Sequence, residues 1–135
     1  MMSIFKAYDI RGKYPRELNE QKVVEIIKAL LKFFKEGRIV VGHDVRLSSH
    51  GLYKTILKTF PKKNAKIFSL PVDLSTTPML YFLVKKLKAS GGIMVTASHD
   101  PKMYNGLNVV NHRLESLSGE EILRIMNKES RSKNA

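Results

Sequence analysis

The strongest constraint on this chain is its alternation of two hydrophobic periods. Short β-branched runs bounded by glycine or proline alternate with longer segments whose apolar residues recur every three or four positions. That pattern favours an α/β domain over an all-helical bundle. The clearest helical stripe is Val23, Val24, Ile27, Leu30, Leu31 and Phe34. Asn19 supplies the cap, the helix is expected to run to about Glu36, and Gly37 stops it. Arg38 to Gly42 then reads as a buried strand, short and β-branched. A first strand is expected near Ile4 to Ala7, a helix capped by Ser48 or Ser49 to about Phe60, and a weaker strand from Lys66 to Leu70. Thr76-Thr77-Pro78 opens a third helix to about Lys88. Gly91-Gly92 closes that region, and Ile93-Met94-Val95 begins a strand. Asn105-Gly106 signals a turn before Leu107 to Val110. Ser118 with Glu121 forms a capping box on a last short helix. The expected division is a domain over residues 1–127 and a polar C-terminal tail over 128–135. At 135 residues with 43% apolar content, the length argues against a two-domain enzyme with an interdomain active site.

Charge and residue usage narrow the chemistry. The net charge of +12 predicts a surface that attracts anions such as phosphates, sugar phosphates or nucleic acid. No window approaches the ~20 apolar residues of a membrane span, and the N-terminus lacks the order of a signal peptide, so the expectation is a soluble, cytoplasmic protein without membrane contact. With no cysteine, thiolate metal sites and cysteine nucleophiles are ruled out. No Gly-x-Ser-x-Gly elbow, Walker loop or Gly-x-Gly-x-x-Gly occurs, which argues against acyl transfer and nucleotide binding. The four aspartates Asp9, Asp44, Asp73 and Asp100 are scattered, so no self-contained magnesium site is expected. His43, His50, His99 and His112 lack metal-ligand spacing and read as loop or surface histidines. The lysines of residues 22–35 read as a solvated helix face. The dense basic stretch Lys54, Lys58, Lys62, Lys63 and Lys66 lacks any accompanying nucleic-acid motif, so specific nucleic-acid recognition is disfavoured.

Two loops stand out. His43-Asp44-Val45-Arg46-Leu47-Ser48-Ser49 follows a strand at its carboxyl end, where ligand contacts commonly lie. Thr96-Ala97-Ser98-His99-Asp100-Pro101 gathers two hydroxyls, an imidazole and a carboxylate between two strands. A serine there can carry an acyl or phosphoryl group, given proton removal and charge stabilisation. The competing reading is a plain turn in which Ser98 and Asp100 bond their own backbone.

The segment Gly91 to Pro101 resembles the phosphoserine loop of the α-D-phosphohexomutases, the phosphomannomutase/phosphoglucomutase family, whose loop reads Thr-Ala-Ser-His-Asn-Pro. Phe5 to Gly12 resembles that family's opening, and Val40 to Ser48 its second loop. Ser75 to Pro78 and Tyr104 to Gly106 resemble the segments flanking the serine loop. Counting the two flanking segments as one, four matches fall in order, covering nearly the whole chain but only the first of the family's four domains. The resemblance implies a three-layer domain with a mixed β-sheet and helices on both faces. It also implies an intramolecular phosphotransferase, an isomerase of carbohydrate metabolism that moves phosphate between C1 and C6 of a hexose phosphate. Ser98 would carry the phosphoryl group, His99 would help position it, and Arg11 would be the active-site cation. Thr96, Lys102 and Asn105 would bind phosphate or substrate. Mg²⁺ would be held through the phosphate on Ser98, only with another domain or chain, and hexose 1,6-bisphosphate would be the activator.

The departures matter equally. Asp100 stands where Asn is usual, which should oppose phosphorylation unless a metal or cation compensates. Asn108 stands where a lysine implicated in proton transfer is usual, and an amide does no acid/base work. His43 replaces a common arginine. The family's magnesium loop, sugar loop and phosphate-binding last domain have no counterpart in these residues, so catalysis by this chain alone is expected to be incomplete. A second chain supplying those domains and self-association through an exposed apolar flank are the expected partnerships. The alternatives are a decayed homologue that binds phosphate or a partner chain, or a basic nucleic-acid-associated protein.

Overall fold

In a computed structural model of the chain, residues 3–34, 37–61, 65–71 and 75–134 are described, the side chains of 65 and 129–134 excepted. Among the described residues, five strands and four helices follow in the order β1 (Ile10–Lys13), α1 (Glu20–Phe34), β2 (Gly37–His43), α2 (Ser49–Thr59), β3 (Ala65–Ser69), α3 (Thr77–Lys86), β4 (Gly91–Val95), β5 (Tyr104–Asn111) and α4 (Gly119–Asn134). They form one mixed sheet in the order β1-β5-β4-β2-β3. β2 pairs in parallel with β3 and β4, whereas β5 is antiparallel to both β4 and β1. None of the helices among the described residues is long and apolar enough to cross a membrane.

The apolar alternation decides which face each strand residue serves. Ile39, Val41, Ile93, Val95, Leu107 and Val109 point to one side, where α1, α2 and α4 cover them. Val40, Met94 and Val110 point to the other, under Leu80 and Val84 of α3. Burying each such aliphatic side chain contributes about 1.5–3 kcal/mol, so the two clusters specify the layers. The expected three-layer α/β domain with a doubly covered mixed sheet is therefore what the chain forms. α2 and α3 lie on opposite faces, as right-handed crossovers running in opposite directions across the sheet require.

The capping signals at Asn19, Thr76 and Ser118 act as read. The Asn19 carboxamide oxygen accepts from Lys22 N at 2.9 Å, and Thr76 Oγ1 accepts from Met79 N at 3.2 Å. Ser118 and Glu121 bond reciprocally, Glu121 N to Ser118 Oγ at 3.0 Å and Ser118 N to Glu121 Oε1 at 3.2 Å. Tyr14 donates to the Glu20 carboxylate, and that bond together with burial raises the phenol pKa.

Several expectations are corrected. The first strand is not Ile4 to Ala7 but Ile10–Lys13, with a single bridge from Phe5 to Ile10. The chain doubles back there, Lys6 N bonding Asp9 O and Arg11 N bonding Ile4 O, both at 2.8 Å. Fully buried Ile10 then takes the sheet position. Gly91-Gly92 does not precede β4 but begins it, Gly91 pairing with Ile39 and Asn111, and a side chain at Gly91 would meet the Phe34 ring 2.3 Å away. Asn105-Gly106 is no turn and lies inside β5. His43 is not a loop or surface residue but ends β2 at 5% exposure, its ring packed 4.6 Å from that of Tyr53. The last helix runs on to Asn134, so the backbone expected as a frayed tail is helical. Lys62, Lys63 and Asp73 lie outside the described residues, as does the expected end of α1 at Glu36.

Candidate functional site

The sheet brings the two notable loops together. β2 and β4 are adjacent and parallel, so residues 44–48 and 96–103 leave the same edge of the sheet. At this point the crossover from β2 departs to one side and the chain from β4 to the other, the switch point where α/β sheets open a crevice. A cavity of ≈ 630 Å³ lies there, lined by Asp44, Val45, Arg46, Leu47, Thr96, Ser98, Asp100 and Lys102.

Ser98 occupies a tight turn closed by a 3.0 Å bond from Asp100 N to Ala97 O. Its φ is 52°, in the left-handed region that costs a non-glycine residue about 1 kcal/mol or more. Two devices hold it there. Thr96 Oγ1 accepts from Ser98 N at 3.0 Å and donates to Asp44 Oδ2 at 2.7 Å, while Ser49 Oγ donates to the other Asp44 oxygen. The Arg46 guanidinium reaches across and donates to four main-chain carbonyls: Ser98 O at 2.9 Å, Asp100 O at 2.7 Å, Pro101 O at 2.8 Å and Tyr104 O at 3.2 Å. Its Nε stays 3.4 Å from Asp44 Oδ2. The loop is thus pinned by its backbone, and the Ser98 hydroxyl is left exposed, without a hydrogen-bond partner among the described residues. Replacing Ser98 by glycine is expected to raise stability by about 1 kcal/mol, because glycine adopts this φ freely. A lowered urea midpoint would contradict strain at this position.

The residues expected from sequence separate into two groups. Ser98, Thr96 and Lys102 share the cavity. His99 is exposed and makes no hydrogen bond to Ser98 among the described residues. Arg11 lies in β1 opposite Gly106 and reaches Asp100 Oδ2 through Nη1 at 3.3 Å and Asp9 Oδ2 through Nη2 at 2.6 Å. The cation needed to offset Asp100 is therefore present. Asn105, by contrast, is fully buried and points away from solvent. Its Nδ2 donates to Ser48 Oγ at 2.7 Å and Ser49 Oγ at 3.0 Å, and its Oδ1 accepts from Gly106 N at 2.8 Å. That is also why Ser48, at the N-cap position of α2, does not cap with its side chain.

Asp44 and Arg46 were not singled out from sequence as site residues, although they organise the Ser98 loop. Their signal was the polar run after β2; the missing information was that β4, 52 positions later, is its neighbour. The donor set at the cavity does not fit a magnesium ion. Asp44 is committed to Thr96, Ser49 and Arg46, and Asp100 to Arg11, so neither carboxylate is free, and no group of three potential ligands occurs among the described residues.

Comparison with known proteins places this architecture. Residues 2–133 match the family model for phosphoglucomutase/phosphomannomutase, alpha/beta/alpha domain I. A phosphomannomutase of Escherichia coli is 42% identical over 123 residues, covering 91% of this chain and 26% of that protein. A Klebsiella pneumoniae phosphomannomutase is equally similar, with 77% of its length covered, and a phosphohexose mutase of Xanthomonas campestris is 40% identical over 116 residues, with 86% of this chain and 25% of that protein covered. The chain thus spans about a quarter of two of these relatives. Among solved structures, a phosphomannomutase described as putative from Thermus thermophilus superposes with a TM-score of 0.75 at 27% identity, over 94% of this chain and 30% of that one. A phosphoglucomutase/phosphomannomutase family protein from Burkholderia thailandensis gives 0.78 at 25% identity, over 98% and 31%. With the serine turn at the switch point and this match across its length, the chain belongs to the phosphoglucomutase/phosphomannomutase family, as an N-terminal domain I.

Proposed function

We propose that this domain carries the phosphoryl group of a phosphohexomutase on Ser98. The observation that supports the reading is the exposed hydroxyl, without a hydrogen-bond partner among the described residues, held by a committed backbone network at a cavity that also contains Lys102. In the loading step Ser98 Oγ bonds to phosphorus as the ester bond from phosphorus to the sugar oxygen breaks. The serine proton ends on the released sugar hydroxyl, so charge and atoms balance. Unloading reverses this at another hydroxyl of the same hexose. Such transfers rest on positioning and on cations at the equatorial oxygens more than on covalent assistance. Lys102 and Arg11 are the cations at hand, and the ligand class is a hexose phosphate. Magnesium, if it takes part, needs oxygens beyond those at this cavity.

Incubating the pure chain with glucose 1,6-bisphosphate and Mg²⁺, followed by intact mass and peptide mapping, tests the assignment. One phosphoryl group on Ser98 is expected, with none in Ser98→Ala, alongside little conversion of glucose 1-phosphate to glucose 6-phosphate. An unmodified Ser98, or equal labelling of Ser98→Ala, would overturn the assignment.

A further inference from the structure

One guanidinium serves two carboxylates beside the serine turn. Arg11 is held tightly by Asp9 at 2.6 Å and loosely by Asp100 at 3.3 Å, while its Nε is buried with no acceptor among the described residues. A buried donor left unmatched marks an arrangement that is not the best available to that side chain. Asp100 is one-third exposed and stands between two cavities. On one side is the ≈ 630 Å³ space with Ser98 and Lys102; on the other is a ≈ 450 Å³ space with Lys6, Arg11, Lys13 and Glu17. Asp9, Arg11 and Asp100 together carry one net negative charge.

A phosphoryl group on Ser98 would bring about 1.5 to 2 further negative charges two residues from Asp100. Arg46 has no N–H to spare, since Asp44 and four carbonyls take it. Lys102 and His99 are exposed, so water competes for them. Lys6 and Lys13 line the far cavity beside Asp100, but Arg11 is the cation already bonded to Asp100, and that bond is the weaker of its two.

We propose that Asp100 is a positioning residue that holds Arg11 at the serine turn while Ser98 is a free hydroxyl and yields it to the phosphate once Ser98 is phosphorylated. Asp100 then stands unpaired beside the phosphate. The phosphoserine is held less firmly than an asparagine at this position would allow, which favours passing the group on to a sugar hydroxyl. The inference rests on the proposed role of Ser98 and adds a residue that sets how readily the turn gives up its cargo.

The test installs phosphoserine at position 98 during synthesis, in the wild-type chain and in Asp100→Asn, so that it does not depend on the chain phosphorylating itself. With the Nε–Hε resonance of Arg11 assigned by its loss in Arg11→Lys, phosphorylation of the wild type is expected to move it clearly. It is also expected to lower the Tm by about 3–6 °C more than in Asp100→Asn. An Arg11 resonance that phosphorylation leaves unmoved, or equal Tm changes in the two backgrounds, would overturn the proposal. Should Asp100→Asn fail to fold, the wild-type resonance decides alone. Failure of the self-phosphorylation assay with success here would sink the carrier reading and leave the Arg11 exchange standing.

Discussion

Replacing Arg46 by alanine is expected to lower the Tm by about 5–10 °C and to abolish phosphoryl acceptance at Ser98. The guanidinium makes four bonds to carbonyls of residues 98–104 and pairs with Asp44, with only 14% of the side chain exposed. A hydrogen bond to a charged donor contributes about 1.5–3 kcal/mol, and partial access of water to the freed carbonyls brings the total to roughly 3 kcal/mol. The functional loss is expected to be the larger effect. Without Arg46 the bond from Ser98 N to Thr96 Oγ1 and the turn's own bond from Asp100 N to Ala97 O are left to oppose relaxation of Ser98 out of its left-handed conformation, and the amide of Asp100 should exchange with solvent much faster. Lysine should not rescue, because one ammonium cannot span four carbonyls in a planar fork. A Tm within about 2 °C of wild type, together with normal labelling of Ser98, would show that the network is dispensable.

Gly106→Ala should be the most damaging small substitution near the site. A Cβ there would stand 2.3 Å from Ile10 O and 2.9 Å from Thr96 O, both main-chain atoms that cannot swing aside. Relief requires parting β5 from β1 or distorting the start of the serine loop, at a cost of about 3–5 kcal/mol. Because Arg11 is paired with Gly106 across this ladder, the same shift moves the cation that meets Asp100. Urea unfolding measures the loss, and a cost below about 1 kcal/mol would mean that the close approach is not rigid. Gly51→Ala is the internal comparison: it lies in α2 with its nearest foreign atom 3.8 Å away, so alanine's higher helix propensity should leave stability equal or slightly better.

The elements that were legible are those whose signals are local. The stripe of α1 and the caps at Asn19, Thr76 and Ser118 need only a few turns of chain to be read, and each is found in place. The errors share one cause. Asn105-Gly106 carries turn chemistry, yet contacts from Ser48, Ser49, Ile10 and Thr96 make it a strand. Ser48 has a cap's side chain and a cap's position, but Asn105 claims its hydroxyl. His43 looked like a loop residue because nothing in its own segment announces Tyr53 as its cover.

By itself, then, the sequence determined the kind of domain and the residue at its centre. Hydrophobic period set strands against helices, and the resemblance of the run from Thr96 to Pro101 to the family's phosphoserine loop singled out Ser98. Only the tertiary structure decided what holds that serine. The parallel pairing of β2 with β4, with α2, β3 and α3 between them in the chain, sets Arg46 and Asp44 against a loop 52 positions away. The antiparallel edge formed by β1 and β5 does the same for Arg11 and Asp100, 89 positions apart. Side-chain periodicity fixes which face a residue occupies, but strand order follows from burying both faces of the sheet at once, and that free energy belongs to no single segment.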